Sequence, residues 1–397
     1  MNIILFDDKT RSTLLPLTYT RPIADIRIGI LKISEKWEKR CSAKCSYLTD
    51  SYLQELFPIE VSDDNYYING SLLPTDELIS EIKSLKIGEG LIQDNLIIAV
   101  RTSSNEKVSD IAQVVIEQPK TVLTKFERLV FSWDVFSQNE KELKADFELL
   151  TKGRKSQAIS VTNRVLKPEN IFLEEGAIVE CANLNASAGY IYVGKDAEIM
   201  EGAMIRGPFA ICEHSAVKMG AKIYGATTVG PHCKVAGEIS NSVIFGYSNK
   251  AHDGFLGNSV LGEWCNLGAD TNNSNLKNNY SKVKVWNYEN HDYINTGLQF
   301  CGLIMGDHSK CSINTMFNTG TVVGVSANIF GNGFPPKFVP SFSWGGSEGF
   351  TSYRLEDAIE VASRVYERRH LVFGKKEQSL LRHLFDDTTK YLSLIHI

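Results

Sequence analysis

The 397-residue sequence has no cysteine pair in the spacing C-x-x-C and no apolar run near the ~18 residues of a membrane span. Its eight cysteines are scattered, so we expect free thiols in a reducing, cytoplasmic compartment. A zinc site at Cys41 and Cys45 is the less favoured alternative, because no partner ligand lies nearby in the sequence. The start, MNIILFDD, lacks the basic segment of a signal peptide, and we expect it to form a first strand.

An excess of basic charge is also missing. The 42 lysines and arginines are outnumbered by 47 aspartates and glutamates, which gives a net charge of -5 and a pI near 6.0. Nucleic acids and anionic membranes bind basic surfaces, so neither is expected as a partner. The hydrophobic fraction of 43% is that of a globular protein, and the length predicts two domains.

Aliphatic residues recur every six positions in the middle of the sequence. The uninterrupted run consists of Val193, Ile199, Ile205, Ile211, Val217, Ile223, Val229 and Val235. Neither an α-helix nor a single strand has this period, but a parallel β-helix of hexapeptide repeats does. We therefore predict a left-handed parallel β-helix over residues 166–345, a three-sided prism with the aliphatic side chains inside. A chance run in a β-sandwich is the less favoured alternative.

The strict period is interrupted after Val235 and again after Thr271, by SNKAHDGFLG and NNSNLKNNYSKVKVW. Insertions in repeat proteins often form the binding face. The first insertion contains His252, and an imidazole is the side chain best suited to move protons near neutral pH. We therefore predict the functional site at these two insertions, with an exposed turn histidine as the alternative.

The residues around His252 resemble the acetyltransferase half of GlmU-type bifunctional enzymes, over about residues 222 to 330. The matching motif is His-x-x-aromatic-Leu-Gly, then Asn-x-Gly-Ala-x-Thr and a later Asn; it is carried by His252, Phe255, Leu256, Gly257, Asn266, Gly268, Ala269, Thr271 and Asn275. The family acetylates glucosamine-1-phosphate with acetyl-CoA and then uridylylates the product. The resemblance also implies a homotrimer with sites between adjacent prisms. Asp253 and Phe255 depart from the family, which commonly has a small or apolar residue and a tyrosine there.

The resemblance assigns a role to each residue. His252 is expected to act as the general base, because an amine with a pKa near 8 must lose a proton before it attacks a thioester. Acceptor-binding residues are expected to be Asn266, Asn275, Phe255, and the phosphate contacts Lys250, Lys282 and the weaker Lys222. Acetyl-CoA contacts are expected at Ala269 and Thr271.

The first 165 residues alternate strand-like runs, at 2–6, 66–70, 96–100 and 111–116, with helical patterns, which predicts an α/β domain over residues 1–165. TRSTLLPLTYTRP at 10–22 resembles the signature of sugar-1-phosphate nucleotidyltransferases, and INGSLLP at 68–74 resembles their second motif. The whole chain thus resembles a divergent bacterial branch of the GlmU-like family.

This N-terminal motif departs from the nucleotidyltransferase pattern at three places. Asp7-Asp8-Lys9 replaces the glycine-rich turn, Ile23 replaces a lysine, and Ser71 replaces a metal-binding aspartate. Two interpretations remain. In the first, the domain uses UTP, with Mg²⁺ on Asp7 or Asp8 and the nucleotide on Arg11, Arg21, Asn69 and Gly70. In the second, the domain is a catalytically silent or regulatory relic.

The C-terminal part is predicted to be a helical tail over residues 346–391. Its last letters, LSLIHI at 392–397, are expected to be an artefact encoded by sequencing-adapter DNA. For the whole chain, we expect an acetyl-CoA-dependent N-acetyltransferase for an amino-sugar-1-phosphate, fused to a nucleotidyltransferase domain that forms UDP-N-acetylglucosamine. The alternatives are a nucleotidyltransferase whose β-helix only assembles a trimer, and a non-catalytic scaffold that binds a nucleotide sugar.

Overall fold

The computed structural model describes residues 1–103 and 106–392, and its contacts divide the chain into two compact units. The first, here called the α/β unit, consists of Met1–Ile26, Leu31–Phe131 and Lys375–Leu380. The second, here called the solenoid unit, consists of Arg27–Ile30, Ser132–Gly374 and the described residues from Leu381 onward.

The α/β unit contains one six-stranded sheet. Its strands lie in the order Cys45–Leu48, Asn2–Phe6, Asn65–Asn69, Leu96–Thr102, Glu89–Gln93 and Gln118–Thr121. The first three are parallel, and Leu96–Thr102 is antiparallel to both of its neighbours. A small antiparallel pair, Leu72–Leu73 with Glu127–Arg128, and the α-helices Thr10–Thr13, Ile33–Cys41 and Asp76–Lys83 also belong to this unit. The predicted α/β class is confirmed.

One of the predicted strands is wrong. The segment at 111–116 contains the 3-10 helix Ile111–Gln113 instead of a strand. The Asp110 carboxylate accepts a hydrogen bond of 2.7 Å from the N–H of Ala112, and such local bonds favour a turn over an extended backbone. Val115 is 73% exposed, so the apolar residues of this segment do not form a buried strand.

Three large sheets of the solenoid unit form the three faces of a prism. Face 1 consists of Arg164–Leu166, Asn183–Asn185, Met204–Arg206, Lys222–Tyr224, Glu238–Ser240 and Phe255–Gly257. Face 2 consists of Ile171–Leu173, Ile191–Val193, Phe209–Ile211, Thr227–Val229, Val243–Ile244, Val260–Leu261, Leu303–Met305, Thr321–Val323 and Phe338–Val339. Face 3 consists of Ile178–Val179, Glu198–Ile199, Ala216–Val217, Lys234–Val235, Asn249–Lys250, Asn266–Leu267, Lys310–Cys311, Asn328–Ile329, Ser343–Gly346 and Gly349–Ser352.

The predicted parallel β-helix is confirmed. Neighbouring strands on each face are parallel, apart from the last pair of face 3. The eight aliphatic residues of the uninterrupted run are each at most 2% exposed and belong to one continuous core. Small side chains such as Ala197, Ala203 and Ala221 are also fully buried, as expected next to the prism corners.

The repeat continues where the sequence indicated its first interruption. Only residues 236–237 separate the strands Lys234–Val235 and Glu238–Ser240, so the first irregularity is a shortened turn. Ile244, Lys250 and Leu256 then follow at intervals of six. Lys250 pairs in register with Val235 and is 0% exposed, so a lysine occupies an inward position of the repeat.

The second interruption leaves the prism as an antiparallel hairpin, Lys284–Asn287 with Asp292–Asn295, ahead of Leu303–Met305. A further parallel pair, Asn272–Asn273 with Met316–Phe317, lies on the coils next to this insertion. The second predicted insertion is therefore present in the structure.

From residue 132 onward, the described part of the chain has four α-helices outside the hexad strands: Asp134–Ser137, Asn139–Thr151, Leu355–Glu367 and Lys375–Leu392. The last two confirm the predicted helical tail. Of the predicted artefact, only Leu392 is described, and 393–397 lie outside the described residues. Among the described residues, none of the helices combines the length and apolarity that a membrane crossing requires.

Candidate active site

His252 lies in a turn at the corner between faces 3 and 1. The turn connects the strands Asn249–Lys250 and Phe255–Gly257, and both His252 and Asp253 are exposed. It closes at Gly254, whose φ of 110° and close approach to the carbonyl of Thr271 leave no room for a Cβ. The imidazole is therefore on the outer surface of the prism.

The next coil brings both predicted acetyl-CoA contacts, Ala269 and Thr271, to the same corner. The Asp270 N–H donates to the Asp253 carbonyl at 3.1 Å, which joins the turn of Ala269 and Thr271 to that of His252. Thr271 is 1% exposed and its hydroxyl donates to the Gly268 carbonyl at 2.7 Å, so this hydroxyl is used inside the chain. Ala269 is partly exposed.

Asn266 and Lys222 lie on the two faces that meet at this corner. Asn266 is exposed on face 3, directly above Asn249 in the strand ladder. Lys222 is exposed on face 1, where the register Lys222, Glu238, Phe255 places it two coils below Phe255. Both residues thus lie on the faces that meet at this turn, and their substrate-binding roles stay predictions.

Lys250 does not face outward, which corrects its predicted role as a phosphate contact. Its Nζ donates to the carbonyl of His252 at 2.5 Å and to that of Asp253 at 2.9 Å. Burial lowers the pKa of this ammonium to about 8, and the nearby Asp253 carboxylate opposes that shift. Lys250 therefore holds the backbone of the His252 turn from inside the prism.

Asn275 and Lys282 lie at the other end of the strand Phe255–Gly257. Asn275 Nδ2 donates to Asn258 Oδ1 at 2.9 Å, in the corner between faces 1 and 2. Lys282 is exposed in the loop that follows, and its carbonyl accepts from Lys277 Nζ at 2.9 Å. Within one chain these two residues and His252 are thus at opposite ends of a strand about 10 Å long.

The predicted nucleotide residues of the α/β unit converge where two parallel strands, Asn2–Phe6 and Asn65–Asn69, end. The buried Asp7 carboxylate accepts from the Ile23 N–H at 2.8 Å, from the Thr49 hydroxyl at 2.5 Å and from Arg11 Nη1 at 3.2 Å. Burial raises the pKa of the Asp7 carboxyl, and Arg11 and Thr49 oppose that rise.

Arg11 is buried within the same network. Its Nε donates to Asp50 at 2.6 Å, its Nη1 to the Arg21 carbonyl at 2.9 Å, and its Nη2 to the Tyr52 hydroxyl at 2.5 Å. All three guanidinium nitrogens thus have partners inside the α/β unit. This corrects the prediction that Arg11 is available to bind nucleotide phosphates.

Asp8 belongs to a second network. Its carboxylate accepts from the Thr10 N–H at 2.9 Å, from Asn69 Nδ2 at 2.8 Å and from Arg128 Nη1 at 3.0 Å. Asn69 Oδ1 in turn accepts from the Ser71 hydroxyl at 2.7 Å. The two remaining predicted nucleotide residues are Arg21 and Gly70. The Gly70 N–H donates to the Phe6 carbonyl at 2.8 Å, and the Arg21 carbonyl accepts from Arg11, as described above.

The two aspartates do not form a Mg²⁺ site. Each carboxylate is paired with an arginine, whose positive charge opposes a cation. In the described part of the chain, three or more His, Cys, Asp or Glu side chains nowhere form a group that could hold a metal ion. The predicted metal role of Asp7 and Asp8 is therefore corrected to a structural one.

Comparisons with known proteins agree with this two-part organisation. Residues 3–155 match the family model of sugar nucleotidyl transferases. The bifunctional protein GlmU of Methanocaldococcus jannaschii is 24% identical over 350 residues, which cover 79% of this chain and 78% of the relative. A bifunctional sugar-1-phosphate nucleotidylyltransferase/acetyltransferase of Sulfurisphaera tokodaii is 31% identical over 144 residues, 36% of this chain and 35% of the relative.

Two further similarities concern acyltransferases. The uncharacterized acetyltransferase YaiX of Escherichia coli is 26% identical over 165 residues, 41% of this chain and 69% of the relative. The solved UDP-N-acetylglucosamine acyltransferase of Francisella novicida covers 60% of this chain and 92% of its own, at 10% identity. Its TM-score of 0.26 is too low to support an argument about the fold.

The fold and these matches together define a transferase with a sugar nucleotidyl transferase domain ahead of a hexapeptide β-helix. More narrowly, the chain is similar to bifunctional nucleotidyltransferases and acetyltransferases of the GlmU type, which confirms the resemblance found in the sequence.

Proposed function

We propose that this chain is an acetyl-CoA-dependent N-acetyltransferase that acts on an amino-sugar-1-phosphate, with glucosamine-1-phosphate as the expected acceptor. The observation that carries the proposal is the exposed position of His252 on a corner of the prism, between Phe255 on face 1 and Ala269 on the next coil. Similarity to relatives named as acetyltransferases supports an acyl-CoA donor.

The chemistry follows from a neutral imidazole next to an amine. His252 accepts the proton that the sugar nitrogen loses as it attacks the thioester carbonyl, and a carbon–nitrogen bond forms. The tetrahedral intermediate then expels the coenzyme A sulfur, which takes the proton back from His252 and leaves as the thiol. The products are the N-acetylated sugar phosphate and free coenzyme A, and the imidazole is neutral again.

A backbone donor lies near the base. The Ala269 N–H has no hydrogen-bond acceptor among the residues that the structure describes, although the N–H of Asp270 beside it is bonded to the Asp253 carbonyl. A free N–H at this corner can stabilise the negative oxygen of the intermediate. This supports Ala269 as part of the acetyl-CoA site, through its backbone.

A second copy of the chain would complete the site. In one chain, Asn275 and Lys282 are at the far end of the strand Phe255–Gly257 from His252. The proposed homotrimer supplies these groups from a neighbouring prism, next to the imidazole. The free cysteines and a sugar-phosphate substrate support a cytoplasmic location.

We do not extend the proposal to the formation of UDP-N-acetylglucosamine. The α/β unit has the family's fold, but the arginine and the two carboxylates that UTP and Mg²⁺ would need are bonded to each other and to neighbouring groups. This supports the interpretation of the unit as a catalytically silent or regulatory relic over that of a UTP-using enzyme.

The deciding experiment is a coenzyme A release assay with glucosamine-1-phosphate, galactosamine-1-phosphate and glucose-1-phosphate as acceptors. We expect activity with an amino sugar, and a loss of about 10²-fold or more in kcat/KM for His252→Ala. His214→Ala, at another exposed corner, is the control and should retain activity. Full activity of His252→Ala contradicts the proposal and favours a solenoid that serves only for assembly or as a scaffold.

A further inference from the structure

Lys250 and Asn273 point into the largely aliphatic interior of the prism, on either side of the strand Phe255–Gly257. Lys250 is 0% exposed and occupies the column of Val235, one coil below Leu267. Asn273 is 4% exposed and pairs with the buried Phe317. An ammonium or an amide in such a column is unfavourable unless its hydrogen bonds are made.

Lys250 makes these bonds with the turn ahead of the strand. Its Nζ donates to the carbonyls of His252 and Asp253, at 2.5 and 2.9 Å. Both carbonyls therefore point inward, while the side chains of the same two residues remain exposed. A side chain without an N–H or O–H group, such as methionine, cannot donate these bonds, so a lysine at this position constrains the turn in a way that an aliphatic residue does not.

Asn273 makes its bonds with the other end of the strand. Its Oδ1 accepts from the Gly257 N–H at 2.9 Å, and its Nδ2 donates to the Gly257 carbonyl at 3.1 Å. The neighbouring Asn272 accepts from the Phe255 N–H at 2.8 Å. The sheet of face 1 ends at this strand. The side chains of Asn272 and Asn273 therefore accept the hydrogen bonds from its backbone N–H groups that backbone carbonyls accept in the lower coils.

We propose that Lys250 and Asn273 are positioning residues, which fix the two ends of the strand Phe255–Gly257 from inside the prism and so hold His252 at the outer corner. These two residues are here called the clamp. The inference rests on the proposed function, because it assigns the clamp a role in acetyl transfer. Displacing a catalytic group by about 1 Å can cost 10²-fold in rate, so a fixed turn is a functional requirement.

The test compares Lys250→Met with Leu267→Met, a control that puts a methionine into the same column without touching the turn. The readouts are amide hydrogen exchange in residues 251–257 and the kinetics of coenzyme A release. For Lys250→Met we expect faster exchange in this segment and a kcat lower by about 10²-fold with little change in KM. For Leu267→Met we expect the same amide exchange in residues 251–257 and the same kcat as in the unchanged protein.

A second variant covers the case in which Lys250→Met does not fold. Asn273→Leu, close in size, removes both bonds to Gly257 and is expected to give the same two effects from the other end of the strand. If exchange and kcat of these variants equal those of Leu267→Met, the clamp is refuted. Faster exchange with an unchanged kcat also refutes the positioning role.

The proposed function fails separately. If His252→Ala releases coenzyme A at the full rate, acetyl transfer does not depend on the imidazole, and a clamp that positions it for this reaction is wrong even where exchange is faster. If His252→Ala is inactive and Lys250→Met is not, the function stands and only the clamp fails.

Discussion

The ammonium of Lys250 lies 2.5 Å from the carbonyl oxygen of His252, inside a prism whose outer surface carries the His252 imidazole. The same residue thus offers its backbone to the interior and its side chain to solvent. This separates the structural part of the turn from the part that is available for chemistry.

The first prediction concerns the pH dependence of stability. Burial lowers the pKa of Lys250 to about 8, below the value near 10.5 expected for an unfolded chain. Between these two values the unfolded chain binds more protons than the folded one, so the contribution of Lys250 to the free energy of unfolding rises with pH. Below pH 8 the lysine is charged in both states, and the full free-energy cost of burying its ammonium lowers the stability of the folded chain.

The measurement is urea unfolding of the unchanged protein and of Lys250→Met at pH 7.5 and pH 9.5. The difference between the two cancels the other groups that titrate in this range. We expect the unchanged protein to gain stability relative to the variant at the higher pH. A difference that is constant with pH contradicts the assignment of Lys250 as a buried ammonium.

The second prediction concerns the acceptor contact at Phe255. This ring lies on the outer side of face 1, next to Asn275 and in register above Glu238. Removing it takes away apolar contact with the sugar, so Phe255→Ala is expected to raise the KM for the amino sugar phosphate about tenfold, or 1.4 kcal/mol. Met204→Ala, exposed lower on the same face, is the control and should leave KM unchanged. Equal KM values for both variants count against face 1 as the acceptor surface.

The third prediction is that the α/β unit releases no pyrophosphate from UTP with Mg²⁺ and N-acetylglucosamine-1-phosphate. Asp7, Asp8 and Arg11 are already bonded within the unit, which leaves no carboxylate pair for the metal. A sensitive pyrophosphate assay on the full chain, with coenzyme A release as the positive control for folded protein, checks this. Pyrophosphate release by the full chain above the enzyme-free blank contradicts it.

The fourth prediction treats the same arginine as a structural residue. Arg11→Met leaves Asp7 and Asp50 without their cation, so the free energy of unfolding is expected to fall by about 3–5 kcal/mol. Arg40→Met removes a pair whose aspartate, Asp76, is exposed, and should cost less than about 1 kcal/mol. Chemical unfolding of both variants gives the comparison. Similar small losses in both are inconsistent with a buried network.

The hexads could be predicted because their signal is local. Each aliphatic position lies six residues from the next, so every third one returns to the same face. On face 3, Ile199, Val217 and Val235 are accordingly stacked in register. Lys250 could have been placed by the same pattern, since it lies six residues from both Ile244 and Leu256. Its charge and its position next to His252 instead favoured a phosphate contact, and only the inward direction of the side chain corrects that interpretation.

The networks of the α/β unit could not be predicted in this way. Arg11 is bonded to Asp50, 39 positions later, and Asp8 to Arg128, 120 positions later. Such distances leave no period or motif in the sequence. The departures from the nucleotidyltransferase signature indicated that something replaces the glycine-rich turn, but the partners of the two aspartates are set by the fold of the sheet.

The last prediction concerns the helical tail. Tyr366, at the end of the helix Leu355–Glu367, stacks on the buried Trp264 with a centroid distance of 4.0 Å. Tyr366→Ala removes this contact, so amide exchange in the helix is expected to rise roughly tenfold, compared with the exposed Arg364→Ala as control. Because Trp264 lies at the corner of faces 2 and 3 and His252 at the corner of faces 3 and 1, kcat should remain unchanged. Equal exchange in the two variants means that the stack does not hold the helix, and a lower kcat in Tyr366→Ala means that the tail contributes to the site.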